Sequence, residues 1–414
     1  MKRRYFTIAI ALITIIVASA GIMSVSRHNR NYTPKSGPNT SQSTNQNTNQ
    51  STNIKATNNY TFPGEFENQQ AIWIQWPTEA YNRTGNPVTP VTVNIIKALA
   101  PYIRVNVAAR SNSDIEQIKG LLAQTGYNGT NVNYYNVDHL SIWTRDVGPI
   151  FVKDKRNNLN IVDFGFNNYS RDGDSTYIYT ENQVHRLIAG LYTFPLIATN
   201  LISEGGAIES NGKGTLMTVE AVALKRNPGL TKDQIENEYK RVLGLTKVIW
   251  LKKGLAEDDS ITSGHINEFA RFADANTILL AQILPEDRYA NSFSQESYQR
   301  MEENYNVLKN STDQDGNPFR IIRIPMPPTL YNETDNTGSL PVRSYLNYAV
   351  TNGAVLMQNY WRPGRSDILR TTEANIKDVF KNIFPEREII GIDAENINLW
   401  GGGIHCVTQH MPAQ

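Results

Sequence analysis

The 414-residue chain has 40 Lys plus Arg against 39 Asp plus Glu, a formal charge of +1, so no global field exists to hold a polyanion and nucleic-acid binding by bulk charge is disfavoured. At 40% hydrophobic and 19% charged residues, the chain is not one that stays disordered throughout. A single cysteine, Cys406, rules out an intramolecular disulfide framework and any multi-cysteine zinc or iron–sulfur centre, leaving one thiol.

Lys2, Arg3 and Arg4 precede an uncharged run over 5–26 that is rich in Ile, Leu and Val. A basic head followed by an apolar stretch is an export segment. Ala18-Ser19-Ala20 offers a cleavage site, and the run is also long enough to stay in a bilayer as an anchor. Residues 27–59 read as a linker, because 39–53 contains only Asn, Thr, Ser and Gln and has nothing to bury. The expectation is an exported body, secreted or membrane-anchored, that touches a membrane only through an uncleaved N-terminal segment.

From residue 60 onward, strand character recurs at 71–76, 103–108, 132–135, 150–152, 159–164, 215–219, 247–250, 277–282, 321–324 and 354–358. Amphipathic helical stretches lie between them at 90–102, 113–124, 180–191, 231–243, 295–309 and 373–384. This alternation predicts a mixed α/β fold. A Gly-rich or acidic turn, a strand hairpin, a helix and a further strand recur loosely at 143–164, 204–224, 265–282 and 345–358, which suggests modules arranged radially. No internal linker interrupts 60–414, so it is read as one domain.

The stretch Gly401-Gly402-Gly403-Ile404-His405-Cys406 sets the only cysteine behind three glycines, whose backbone can approach a bound group closely. A lone cysteine in that place, between His405 and His410, is a candidate nucleophile. His265, in Gly264-His265-Ile266-Asn267-Glu268, is the best acid–base partner among the six histidines. Trp143-Thr144-Arg145-Asp146 sets a carboxylate beside an indole, Glu204 precedes two glycines, and Asn347 sits in a turn before a buried strand. A thiol, a histidine and several carboxylates suit a planar, cationic electrophile, because carboxylates pair with a guanidinium through parallel charged hydrogen bonds.

These motifs resemble those of the agmatine deiminase and Porphyromonas-type peptidylarginine deiminase family. WTRDVGP, EGGAIE, GHINEFARF and GGGIHCVTQHMP follow the family's elements in order and spacing, as do IWIQWP and SYLNYAVTNGAVL, over about residues 60–414. The resemblance implies a pentein fold of five ββαβ modules about a pseudo-fivefold axis, and hydrolysis of a guanidino group, free or on a peptide arginine, with no cofactor and no metal. It implies that Cys406 attacks the guanidinium carbon while His265 protonates the leaving ammonia and then activates water. Asp146 would hold the guanidinium nitrogens, Glu204 would orient His265, and Asn347 and Trp143 would line the site.

One position departs from the family pattern. Its second guanidinium-binding aspartate is Asn267 here, which keeps the shape and one acceptor but loses the charge. Either Glu268, next in the chain, compensates, or the substrate carries less charge, or turnover is slow. An amidinotransferase and a catalytically silent binding protein fit the same motifs, whereas a papain-like protease does not, since its cysteine lies early in the mature chain.

Overall fold

The computed structural model describes residues 59–83, 85–328 and 342–414. The export segment over 1–26 and most of the linker over 27–59 lie outside the described residues. The rest is mixed α/β, as the alternation of strands and helices predicts, and its strands form five sheets of three or four strands.

One plan repeats. In the first sheet Ile150–Asp154 and Leu159–Gly165 pair antiparallel, and Leu196–Ile202 adds in parallel after two helices. Ile208–Ser210, Thr215–Val219 and Lys247–Leu251 do the same around Glu220–Arg226 and Lys232–Leu243. So do Ala270–Phe272, Thr277–Gln282 and Arg320–Pro325 around Ser292–Lys309, and Ala349–Val350, Ala354–Asn359 and Glu388–Asp393 around Asp367–Ile383. The fifth sheet joins distant parts of the chain. Gln409–Pro412 pairs antiparallel with Gln69–Gln75, which Arg104–Ala109 and Val132–Asn136 extend in parallel.

The middle strands are apolar almost throughout because both of their faces are covered, as parallel pairing requires. Ile278, Leu279, Leu280 and Ala281 are all buried, and so are Ala354, Val355, Leu356 and Met357. Thr231 opens the helix Lys232–Leu243 with a reciprocal cap on Gln234, and Gly244 ends it in the left-handed region at φ 70°.

Two helices differ from their sequence reading. The stretch 180–191 is two helices, Ser175–Glu181 and Val184–Tyr192. Asn182 breaks it, because its side chain accepts from the Phe166 N–H at 2.9 Å and donates to the Phe166 carbonyl at 2.7 Å. The helix read at 373–384 starts earlier, at Asp367, because the Ser366 hydroxyl caps it by accepting from Ile368 N–H at 3.2 Å.

The repeat places the chemistry. Trp143–Gly148, Glu204–Ala207, His265–Glu268, Ser344–Asn347 and Gly401–Thr408 each lead directly into the first strand of an antiparallel pair. Five separate turns thereby deliver one polar group or more apiece.

Candidate active site

Those turns bring Cys406, His265, Asp146, Glu204, Asn267, Glu268 and Asn347 together, all of them buried, with the half-buried Trp143 beside them. The glycines around the cysteine permit close approach. A Cβ on Gly402 would fall 2.6 Å from the Trp143 ring, and one on Gly403 would fall 2.5 Å from Asn347 Oδ1. Cys406 is tied to the Trp143 turn through Arg145 N–H, which donates to its carbonyl at 3.0 Å.

Around the thiol, Asn347 Nδ2 donates to Sγ at 3.1 Å and Asn267 Nδ2 lies 3.6 Å away. Glu268 Oε1 is 3.6 Å from Sγ and accepts from Asn347 Nδ2 at 2.6 Å. Burial first, then the carboxylates of Glu268 and Asp146, push the thiol well above its ordinary range. Burial and the neighbouring Asp258 also raise the Glu268 carboxyl far above a normal glutamate.

His265 sits between two carboxylates. Its Nε2 is 3.4 Å from Glu204 Oε2 and its Nδ1 is 3.7 Å from Asp146 Oδ1. Burial works against the imidazolium, but Asp146 and Glu204 outweigh it and raise the histidine above its ordinary value. The segment is fixed from behind by Asp258, whose Oδ2 accepts from His265 N–H at 2.8 Å. Burial lifts that carboxyl to about 6. Gly206 is required here. A Cβ on it would lie 2.6 Å from His265 Nδ1, 2.7 Å from Asp146 Oδ1 and 3.1 Å from Asn267 Nδ2.

Three positioning residues escaped the sequence reading. Arg226 donates through Nε to Glu204 Oε1 at 2.7 Å, and its other nitrogens bind the carbonyls of Tyr169 and Thr262. Although burial opposes ionisation, His265 and Arg226 hold Glu204 below its ordinary value. Tyr169 donates its hydroxyl to Asp146 Oδ2 at 2.8 Å and packs edge-on against His265. Its φ of 58° is one of three successive left-handed values, with Asn168 and Ser170. A bulky residue held there costs about 1–2 kcal/mol, strain of the kind that gathers at functional sites. Glu65 is the third, ion-paired to Arg145 and to Arg271 and accepting from His405 Nε2 at 2.9 Å.

Of these three, Arg226 lies on a seven-residue helix that carries no clear apolar period, and nothing in the sequence marks Tyr169 or Glu65. The acidic run over 257–259 was a visible signal for Asp258.

Glu65, Glu209 and His405 have ligand atoms within 4.8 Å of one another. Arg271 pairs with both carboxylates and Arg145 with Glu65, so the trio belongs to a charge-balanced ion network in which a metal cation would compete with two guanidinium groups. By contrast, among the described residues Asp146, Glu204, Asp258 and Glu268 share one direct arginine partner, Arg226.

A buried thiol, a histidine and four buried carboxylates thus meet at five ordered turns. The chain belongs to the Porphyromonas-type peptidyl-arginine deiminase family, whose model matches residues 61–412. It is 29% identical over 386 residues to the agmatine deiminase of Medicago truncatula, covering 86% of this chain and 97% of that one. Among solved structures it is similar to the agmatine deiminase of Enterococcus faecalis, with TM-score 0.72, 26% identity, and 86% and 96% of the two chains covered. It is also similar to a cysteine-to-serine variant of C. jejuni agmatine deiminase with substrate bound, with TM-score 0.70, 25% identity and the same coverage.

Proposed function

We propose that the protein hydrolyses a guanidino group to a ureido group and ammonia, with Cys406 as nucleophile. The observation that carries this reading is the convergence of a buried thiol and a histidine with four buried carboxylates that, among the described residues, have one direct arginine partner, Arg226. In the proposed cycle a guanidinium enters against Asp146 and Glu268, and its charge favours the Cys406 thiolate, whose proton passes to solvent water. Sγ then bonds to the guanidinium carbon. As the tetrahedral adduct collapses, His265 gives a proton to the departing nitrogen, ammonia leaves, and a thiouronium remains on Cys406. His265 next takes a proton from water, the hydroxide adds to the same carbon, and the C–S bond breaks to release the ureido product. Glu204, held by Arg226, orients the imidazole throughout, and Asn347 and Trp143 shape the pocket.

The five repeated sheets support an arrangement of five ββαβ modules about a pseudo-fivefold axis, the fifth closed by Gln409–Pro412 on Gln69–Gln75. The basic head and apolar run at the N-terminus support export, and export favours peptidyl arginine or a free guanidino compound met outside the cytoplasm. Ammonia and ureido product measured side by side from agmatine, free arginine and an arginine peptide test the proposal. Guanidine binding with no ammonia from any of the three would make the protein a silent binder, and product only with an added amine would make it an amidinotransferase.

A further inference from the structure

Asn267 holds more of the site in place than an aspartate's uncharged substitute would need to. The carboxylate of Glu65 can only accept hydrogen bonds. His405 Nε2 lies 2.9 Å from both of its oxygens, so that nitrogen carries the proton. Burial, with Arg145 and Arg271 close by, drives His405 well below its ordinary value and keeps the ring neutral. Its Nδ1 is therefore a lone pair, and the group facing it at 2.9 Å must donate. That fixes which end of the Asn267 amide points there: Nδ2 faces His405 and Oδ1 faces away.

An amide nitrogen has two hydrogens. One is taken by His405, and the acceptor within reach of the other is Cys406 Sγ at 3.6 Å. Asn267 Oδ1 is buried and has no partner among the described residues, which leaves one acceptor for an N–H of a guest. An aspartate at this position would donate nothing to sulfur. It would also set a second charge against the Nδ1 lone pair unless His405 were protonated.

We infer that Asn267, oriented by Glu65 through His405, donates to the Cys406 thiolate together with Asn347, and that the site thereby accepts electrophiles carrying less positive charge than an alkylguanidinium. This rests on Cys406 being the reacting atom of the proposed deiminase. The substrate class indicated is a weakly basic guanidine, such as an acylguanidine, whose carbon is electrophilic without a full charge. The groups that face the thiol are Glu268 and Asp146, both acidic, and the two asparagines. A donor supplied by the protein counters the acids even when no cation is bound.

Two thiol reagents of nearly equal shape, neutral chloroacetamide and cationic chloroacetamidine, separate the contributions without any turnover. On the full chain, Asn267→Ala should raise the pH midpoint of chloroacetamide alkylation by about one unit, which makes the reaction about tenfold slower at pH 7. Asn267→Asp should slow chloroacetamide at least as much and raise the chloroacetamidine-to-chloroacetamide rate ratio about tenfold. A thermal melt identifies folded variants, and the alanine variant decides alone if the aspartate variant does not fold. An unchanged midpoint in folded Asn267→Ala, or an unchanged ratio in folded Asn267→Asp, overturns the inference. Because alkylation needs no deimination, absence of ammonia release beside the expected shifts would sink the deiminase reading while leaving the thiolate contact standing.

Discussion

Arg226 and Glu204 form an ion pair at 2.7 Å with side chains 1% and 0% exposed, and the carboxylate's second oxygen faces His265. The arginine thus acts on the imidazole without touching it. Removing one member of a buried pair leaves the other's charge uncompensated.

Arg226→Met should therefore destabilise the protein by about 3–5 kcal/mol and lower its thermal midpoint by several degrees. Glu204 is held below its ordinary 4.5, so its contribution is complete above that pH and is lost as the pH falls through its lowered native value. The gap between wild type and variant should accordingly narrow in acid. Melts from pH 3 to 8 check both points, and a gap that widens in acid would contradict the assigned pair.

Cys406→Ser should lower turnover by at least about 10³-fold, roughly 4 kcal/mol of barrier, with the melting midpoint nearly unchanged. His265→Ala should cost about 10²–10⁴-fold through loss of the proton carrier. Mass spectrometry of the wild type with a slow guanidine should find the adduct on Cys406. Full activity in the serine variant would remove the nucleophile assignment.

Gly206→Ala should lower kcat/KM by about 10²-fold or more, a displacement effect of the size expected when reacting groups move by an ångström. The added methyl falls among buried His265, Asp146 and Asn267, so the loss should come with a lowered melting midpoint, overpacking there costing about 1–3 kcal/mol. Activity within twofold of wild type would show that these groups can give way freely.

Because burial, Glu268 and Asp146 hold the free thiol above its ordinary 9.0, thiolate is scarce at neutral pH and increases as the pH rises. The rate of Cys406 alkylation by neutral chloroacetamide, which needs only the thiolate and not the His265 proton, should keep rising beyond pH 8. A plateau reached by pH 7 would mean the thiol ionises more readily than its surroundings allow.

The legible part of this protein was what short turns write locally. Cys406, His265, Asp146, Glu204 and Asn347 each stand beside glycine, proline or a turn, and the strands 215–219 and 277–282 announce themselves by a mostly apolar sequence. Three-residue strands such as Ile208–Ser210 and Ala270–Phe272 are too short to show a period, and register against a neighbour defines them. Tyr169 was hidden because its role depends on a left-handed backbone that no residue type announces there. Glu65 was hidden because its partners lie far away in the chain.

A chain beginning at Asn59 should fold and turn over substrate like the whole protein, since the residues removed read as an export segment and a spacer with no apolar surface to bury. Failure of that shortened chain to fold would place the domain boundary earlier.

Glu65 and His405 are 340 residues apart, and the closing strand Gln409–Pro412 begins three positions after Cys406. During synthesis Glu65 and the edge of Gln69–Gln75 wait for most of the chain before their partners exist. Contacts of such long range are slow to form. The thiol is thus the latecomer to the carboxylates around it, and its ionisation, set by them, reports when Gln409–Pro412 has paired with Gln69–Gln75. In refolding, the pH profile of chloroacetamide labelling should pass from that of an ordinary thiol to the native one only after helical signal has returned, so the reactive atom also times the protein's own assembly.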